Sequence, residues 1–93
     1  MSVTVRIPSY LASLAEGRNS IVVDKSPANT RELLTELWSL HPALRDRIVD
    51  EQGELRQHIN IFVGNESIRF GEGLATAVPD GAEVMIVPAV SGG

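Results

Sequence analysis

Asn29-Thr30-Arg31-Glu32-Leu33-Leu34-Thr35-Glu36-Leu37-Trp38-Ser39-Leu40 is the stretch on which the fold turns. Asn29 followed three residues later by Glu32 has the form of a capping box, in which side-chain oxygens take up orphan backbone N–H groups at a helix start. Leu33, Leu37 and Leu40 then recur at i, i+4 and i+7, and Leu34 widens the stripe. The pattern predicts a helix from about Thr30 to Leu40 with Trp38 at the margin of its apolar face. Pro42 interrupts it and is suited to open a second, shorter helical turn through Ala43 to Ile48.

Working outward, the segments on both sides of this helix read as strands. Val3-Thr4-Val5-Arg6-Ile7 alternates strictly, with Val3, Val5 and Ile7 on one face, and Pro8 ends it. After a link reaching Asn19, the β-branched run Ile21-Val22-Val23 is a second strand, joined to the first most economically as a hairpin. Downstream, Asp50 to His58 is polar, contains Gly53 and is expected to be an exposed, mobile loop. Ile59, Ile61 and Val63 then alternate with Asn60 and Phe62, a turn follows at Gly64-Asn65, and Ile68-Arg69-Phe70 is expected to continue as a short strand. Pro79-Asp80-Gly81 is a turn signal that launches Glu83-Val84-Met85-Ile86-Val87, the last strand, which Pro88 stops.

A helix with so apolar a face must cover one side of a sheet. Two hairpins flanking a crossover helix predict an α+β fold of the ubiquitin-like β-grasp type. Its mixed sheet of about five strands packs on one main helix, with the first and last strands side by side at the centre. Residues 1–88 form the domain and residues 89–93 a flexible C-terminal tail.

The bulk properties narrow the function. Ninety-three residues fit one small core, and 43% apolar with 22% charged residues is ordinary globular composition. With no cysteine, neither a thiolate nucleophile nor a cysteine-held metal is available. Eight basic against twelve acidic residues give a net charge of -4, which repels phosphate backbones and anionic lipid. Nucleic acid and membrane are therefore not expected as partners. The N-terminus has no basic stretch followed by an apolar one, so a cytoplasmic protein is expected.

No constellation in the chain supports catalysis. Gly71-Glu72-Gly73 begins like a phosphate-cradling loop, but the third glycine and the surrounding βαβ unit are missing. His41 and His58 have no partner at metal-ligand spacing. No Gly-x-Ser-x-Gly elbow frames a serine. Asn65-Glu66-Ser67 matches a glycosylation sequon, yet without a signal peptide it reads as a hairpin turn.

What remains is the end of the chain, Ala89-Val90-Ser91-Gly92-Gly93. Five extended residues reach roughly 17 Å beyond a domain, far enough to enter another protein's active site. A carboxylate is a poor electrophile and acylates nothing until it is activated, usually as an acyl-adenylate. Gly93 removes steric hindrance at that carbonyl, and Gly92 removes it from the approach channel. A terminal Gly-Gly also arises by chance in roughly 0.5% of chains, so its weight comes from following directly on the last strand.

Asn60-Ile61-Phe62-Val63, Leu74-Ala75-Thr76, Asp80-Gly81, Glu83-Val84 and Pro88-Ala89-Val90-Ser91-Gly92-Gly93 together resemble the MoaD/ThiS family of sulfur-carrier proteins. The resemblance covers nearly the whole chain and is strongest from Ile59 onward. Within the family the chain is most similar to the carriers of thiocarboxylate-dependent cysteine biosynthesis. The resemblance implies that a ubiquitin-activating-type enzyme joins AMP to Gly93, consuming ATP, and that sulfide or a persulfide displaces the AMP to leave a thiocarboxylate. Gly92, Ser91, Val90 and Ala89 would then be read by the enzyme's tail channel. The carrier itself would bind no cofactor and have no catalytic site, and its sulfur would pass to a synthase, most simply a cysteine-synthase-like enzyme. Ala89 departs from the second proline that many molybdopterin-pathway carriers have at this position, which weakens a role as molybdopterin synthase small subunit. A ubiquitin-like modifier conjugated through Gly93 shares the activation chemistry, and a plain interaction module with an incidental tail would not need it. Lys25 is the only lysine, which leaves little scope for self-linked chains.

The sheet's other face suggests where a partner docks. If Ile61, Val63, Val84 and Ile86 point to the helix, alternation sends Phe62, Met85 and Val87 to the opposite face beside Arg6. Scattered exposed apolar residues are normal; three on adjacent strands make a patch that a partner can bury.

Overall fold

Alternation at the N-terminus produces the strand it predicts. In a computed structural model of the chain, which describes residues 2–88, β1 (Val3–Arg6) buries Val3 and Val5 while Arg6 is exposed on the other face. It pairs antiparallel with β2 (Ser20–Val23), Val3 opposite Val23 and Arg6 opposite Ser20. The link between them is more than a loop. A short helix α1 (Ser9–Ala12) and a 3-10 turn at Ser13–Ala15 place Leu11 and Ala15 in the core.

The capping box forms at the start of α2 (Thr30–Leu40). Asn29 Oδ1 accepts the Glu32 N–H at 2.9 Å, and the Glu32 carboxylate accepts the N–H of Ala28 at 3.0 Å, one residue further back than the cap itself. Thr30 is fully buried and donates from both its N–H and its hydroxyl to the Thr76 carbonyl, tying the helix start to the loop before the last strand. Asn29→Ala should therefore lower stability by about 1 kcal/mol, a fall of roughly 4–8 °C in Tm for a domain this size. Thermal unfolding of the two proteins checks this, and an unchanged midpoint would show that the cap carries no weight.

Leu33, Leu34 and Leu37 are buried and Trp38 packs at the margin of the core, as the stripe predicts. Leu40 is a correction, being 52% exposed. The helix ends there, the chain turns away at His41, and Leu44 in the 3-10 turn Pro42–Leu44 fills the core in its place. Helix α3 (Arg45–Ile48) follows and buries Ile48.

Residues 50–58 are also more structured than an open loop. Val49 bridges to Leu55, Leu55 packs against the core, and Asp50 Oδ1 accepts the N–H groups of Gln52 and Glu54 at 2.9 and 3.0 Å. Gly53, at φ +81°, takes the left-handed conformation this turn needs.

The remaining strands are β3 (Ile59–Val63), β4 (Glu66–Ser67) and β5 (Glu83–Pro88). Ile68–Phe70, expected as a strand, is a 3-10 turn. The reason lies in two side chains that take over the hydrogen bonds a longer β4 would have made. Asn60 Oδ1 accepts the Ile61 N–H at 2.8 Å and the Ser67 hydroxyl at 2.9 Å. The Arg69 guanidinium donates to the carbonyls of Ile59 and Arg56. With those groups satisfied, the edge ladder stops after two residues.

The strand order is β2-β1-β5-β3-β4, with β1 and β5 parallel at the centre and every other pairing antiparallel. Val5, Ile61, Val84 and Ile86 are fully buried with Leu33, Leu34 and Leu37 of α2. This is the ubiquitin-like β-grasp.

Candidate functional site

The strand register decides which outward side chains meet. Arg6 lies opposite Met85, Met85 opposite Phe62, and Phe62 opposite Ser67, so these four form one row across four strands. Val87 lies opposite Asn60 in the next row toward the C-terminus. The side chains that alternation placed on this face are therefore neighbours. Met85 is 38% exposed, whereas Phe62 and Val87 are half-buried, because each is flanked on the pleated surface by its cross-strand partners.

Arg6 differs from a lone cation at the rim. Its Nε donates to Glu83 Oε2 at 2.9 Å, and both side chains are about half exposed. Such a screened pair contributes about 0–1 kcal/mol, so its main effect is to neutralise this margin of the patch and fix the direction of Arg6. A shallow cavity of about 270 Å³ opens beside the patch at the ends of β1 and β5, with Arg6, Pro8, Asn19, Met85 and Val87 in its lining.

Three exposed apolar residues were not singled out in the sequence: Tyr10 on α1, 57% exposed, Val22 and Phe70. Val22, 59% exposed, lies opposite Thr4 on the same outer face. Its alternation with Ile21 and Val23 carried that signal. Phe70, 94% exposed, carried none, because its placement follows from β4 ending early.

The terminal residues that the sequence reading singled out follow Pro88, which closes β5 opposite Ile59. Ala89, Val90, Ser91, Gly92 and Gly93 lie outside the described residues. At ~3.3 Å per residue, Met85 stands about 10 Å back from Pro88 along the central strand.

The other motifs resolve locally. Glu72 donates its N–H to the Thr76 hydroxyl at 3.2 Å and Gly73 opens a 3-10 turn at φ +58°, so the glycine pair serves a closed turn. His41 is half-buried and His58 exposed. Among the described residues no group of three His, Asp or Glu side chains is placed to hold a metal ion, and no helix is long and apolar enough to cross a membrane.

Comparison with known proteins places this geometry. The ThiS family matches residues 5–93. Sulfur carrier protein CysO of Mycobacterium tuberculosis is 38% identical over 95 aligned positions that span the whole of both chains. Small archaeal modifier protein 1 of Haloferax volcanii is 39% identical over 83 positions, 89% of this chain and 91% of its own. Among solved structures, the Amycolatopsis orientalis BexX/CysO complex contains a chain that superposes with a TM-score of 0.85 at 36% identity, covering 98% of this chain and 99% of that one.

Proposed function

The chain belongs to the ThiS family, and from that premise we propose that it is a sulfur carrier, a protein cosubstrate loaded at the carboxylate of Gly93. The observation that carries this reading is the sequence Ser91-Gly92-Gly93 following within three residues of the central strand β5, in a chain alignable end to end with a sulfur carrier protein.

The chemistry runs in two steps. On a ubiquitin-activating-type enzyme, a carboxylate oxygen of Gly93 attacks the α-phosphorus of ATP, forming the acyl-adenylate and releasing pyrophosphate. Sulfide, or the terminal sulfur of a persulfide, then attacks the carbonyl carbon and AMP leaves; a persulfide's remaining S–S bond needs a thiol to cleave it reductively. The product is a thiocarboxylate, which passes its sulfur to a synthase. The resemblance to the carriers of thiocarboxylate-dependent cysteine biosynthesis favours a cysteine-synthase-like acceptor. This chain's own part is to present an unhindered terminus and to dock through Phe62, Met85 and Val87, with Arg6 at the rim.

Protein incubated with the cognate activating enzyme, ATP and sulfide should gain the mass difference of one oxygen replaced by sulfur, located at Gly93 by fragmentation. Failure to form even the adenylate would remove the carrier reading. The likeness to small archaeal modifier protein 1 favours a second one, in which an amine attacks the adenylate and Gly93 ends in an amide bond to another protein. Higher-mass adducts carrying a Gly-Gly remnant on lysine would identify it.

A further inference from the structure

Phe70 is 94% exposed, although hydrogen bonds hold the turn on which it stands. Ser67 Oγ caps the Arg69 N–H at 3.3 Å, the Gly71 N–H donates to the Ile68 carbonyl at 3.1 Å, and Ile68 between them is buried. Arg69 is held in turn by the carbonyls of Ile59 and Arg56. The ring is therefore held out to solvent by a preorganised backbone, and burying it in a partner would cost little ordering entropy.

Its location says which partner. Ile59 faces Pro88 across the β3–β5 ladder and receives Arg69 on its other side. The Arg69–Phe70 turn and the root of the C-terminal tail thus flank the same residue. Arg69 reaches Ile59 through its side chain, so the turn lies at the same end of the sheet as the tail's root, separated from it by one strand spacing of ~4.8 Å plus the length of an arginine side chain. Five tail residues reach at most roughly 17 Å, so an enzyme that holds Gly93 in its active site stands within reach of this end of the sheet. Glu66 and Glu72 lie on either side of the turn in sequence, are exposed, and make no ion pair among the described residues.

We infer that the Arg69–Phe70 turn is a second docking element for the enzyme that takes the C-terminal carboxylate, with Phe70 seated in an apolar, basic-rimmed pocket beside the tail channel. The inference rests on the carrier reading and adds an anchor on the sheet edge, separate from the Phe62–Met85–Val87 face.

The test compares wild type, Phe70→Ala and Phe70→Leu for calorimetric binding to the cognate adenylating enzyme and for ATP-dependent adenylation. Phe70→Ala should weaken binding and raise KM by about fivefold or more, with kcat and the unfolding midpoint nearly unchanged and Phe70→Leu intermediate. Equal binding by wild type and Phe70→Ala overturns the inference and leaves the carrier reading standing. Wild type that binds the enzyme but never gains AMP overturns the carrier reading, and the inference with it. A concentration-dependent dimer in sedimentation that Phe70→Ala abolishes, with enzyme binding unchanged, also overturns it and assigns Phe70 to a second copy of this chain.

Discussion

Deletion of Gly93 is expected to abolish sulfur loading while leaving thermal unfolding where it was. Without Gly93 the terminal carboxylate moves back by one residue, about 3.5 Å. A misplacement of only ~1 Å can cost on the order of a hundredfold in rate, so adenylation at Gly92 should fall by at least that factor. The stability expectation rests on the core, which closes within residues 2–88: Val84 and Ile86 of β5 are already buried against α2. Mass spectrometry after incubation with enzyme, ATP and sulfide reads the first effect, and a melting curve reads the second. A midpoint lowered by several degrees would mean that the tail packs on the domain. Undiminished loading would move the reactive carboxylate away from the chain's end.

Phe62→Asp is expected to raise the KM for adenylation tenfold or more. Burial of a large apolar side chain at an interface contributes roughly 1.5–3 kcal/mol, and ~1.4 kcal/mol is a factor of ten. A carboxylate at the Phe62 position of the Arg6–Met85–Phe62 row would also meet a desolvation cost on docking. Because Phe62 is half-buried between Met85 and Ser67, some loss of stability should accompany it, within the ordinary range of about 0.5–3 kcal/mol. Met85→Asp, at the more exposed neighbour, separates the two effects: it should weaken adenylation comparably with a smaller change in unfolding. Normal KM values for both variants would remove the patch from the docking surface.

Much of the architecture was legible because local and global preferences agree. The Asn29–Glu32 cap, the Leu33–Leu37 spacing and the alternation in β1, β3 and β5 each point to the element that forms. One crossover helix between two strand pairs leaves few ways to bury its face, so the central pairing of first and last strands followed as well. The misreadings occur where a contact made in the folded chain overrides the local pattern. Ile68-Arg69-Phe70 has strand composition, but Asn60 and Arg69 satisfy the groups that a longer edge strand would have paired. Leu40 fits the helical stripe by spacing, yet the chain turns at His41 and Leu44 takes the core position. Leu55 sits in a polar stretch, and only its bridge to Val49 brings it to the core.

The candidate site divides along the same line. The sequence by itself determined the terminal Gly92-Gly93, the absence of any thiol, and the parity that puts Phe62, Met85 and Val87 on one face, because covalent order and a two-residue period are local properties. Tertiary structure decided the rest. Register across β1, β5 and β3 set Arg6, Met85 and Phe62 in one row, paired Arg6 with Glu83, and brought the Arg69–Phe70 turn to the end of the sheet where the tail departs. These are contacts between residues far apart along the chain, and they exist only once the strands have closed around a shared core.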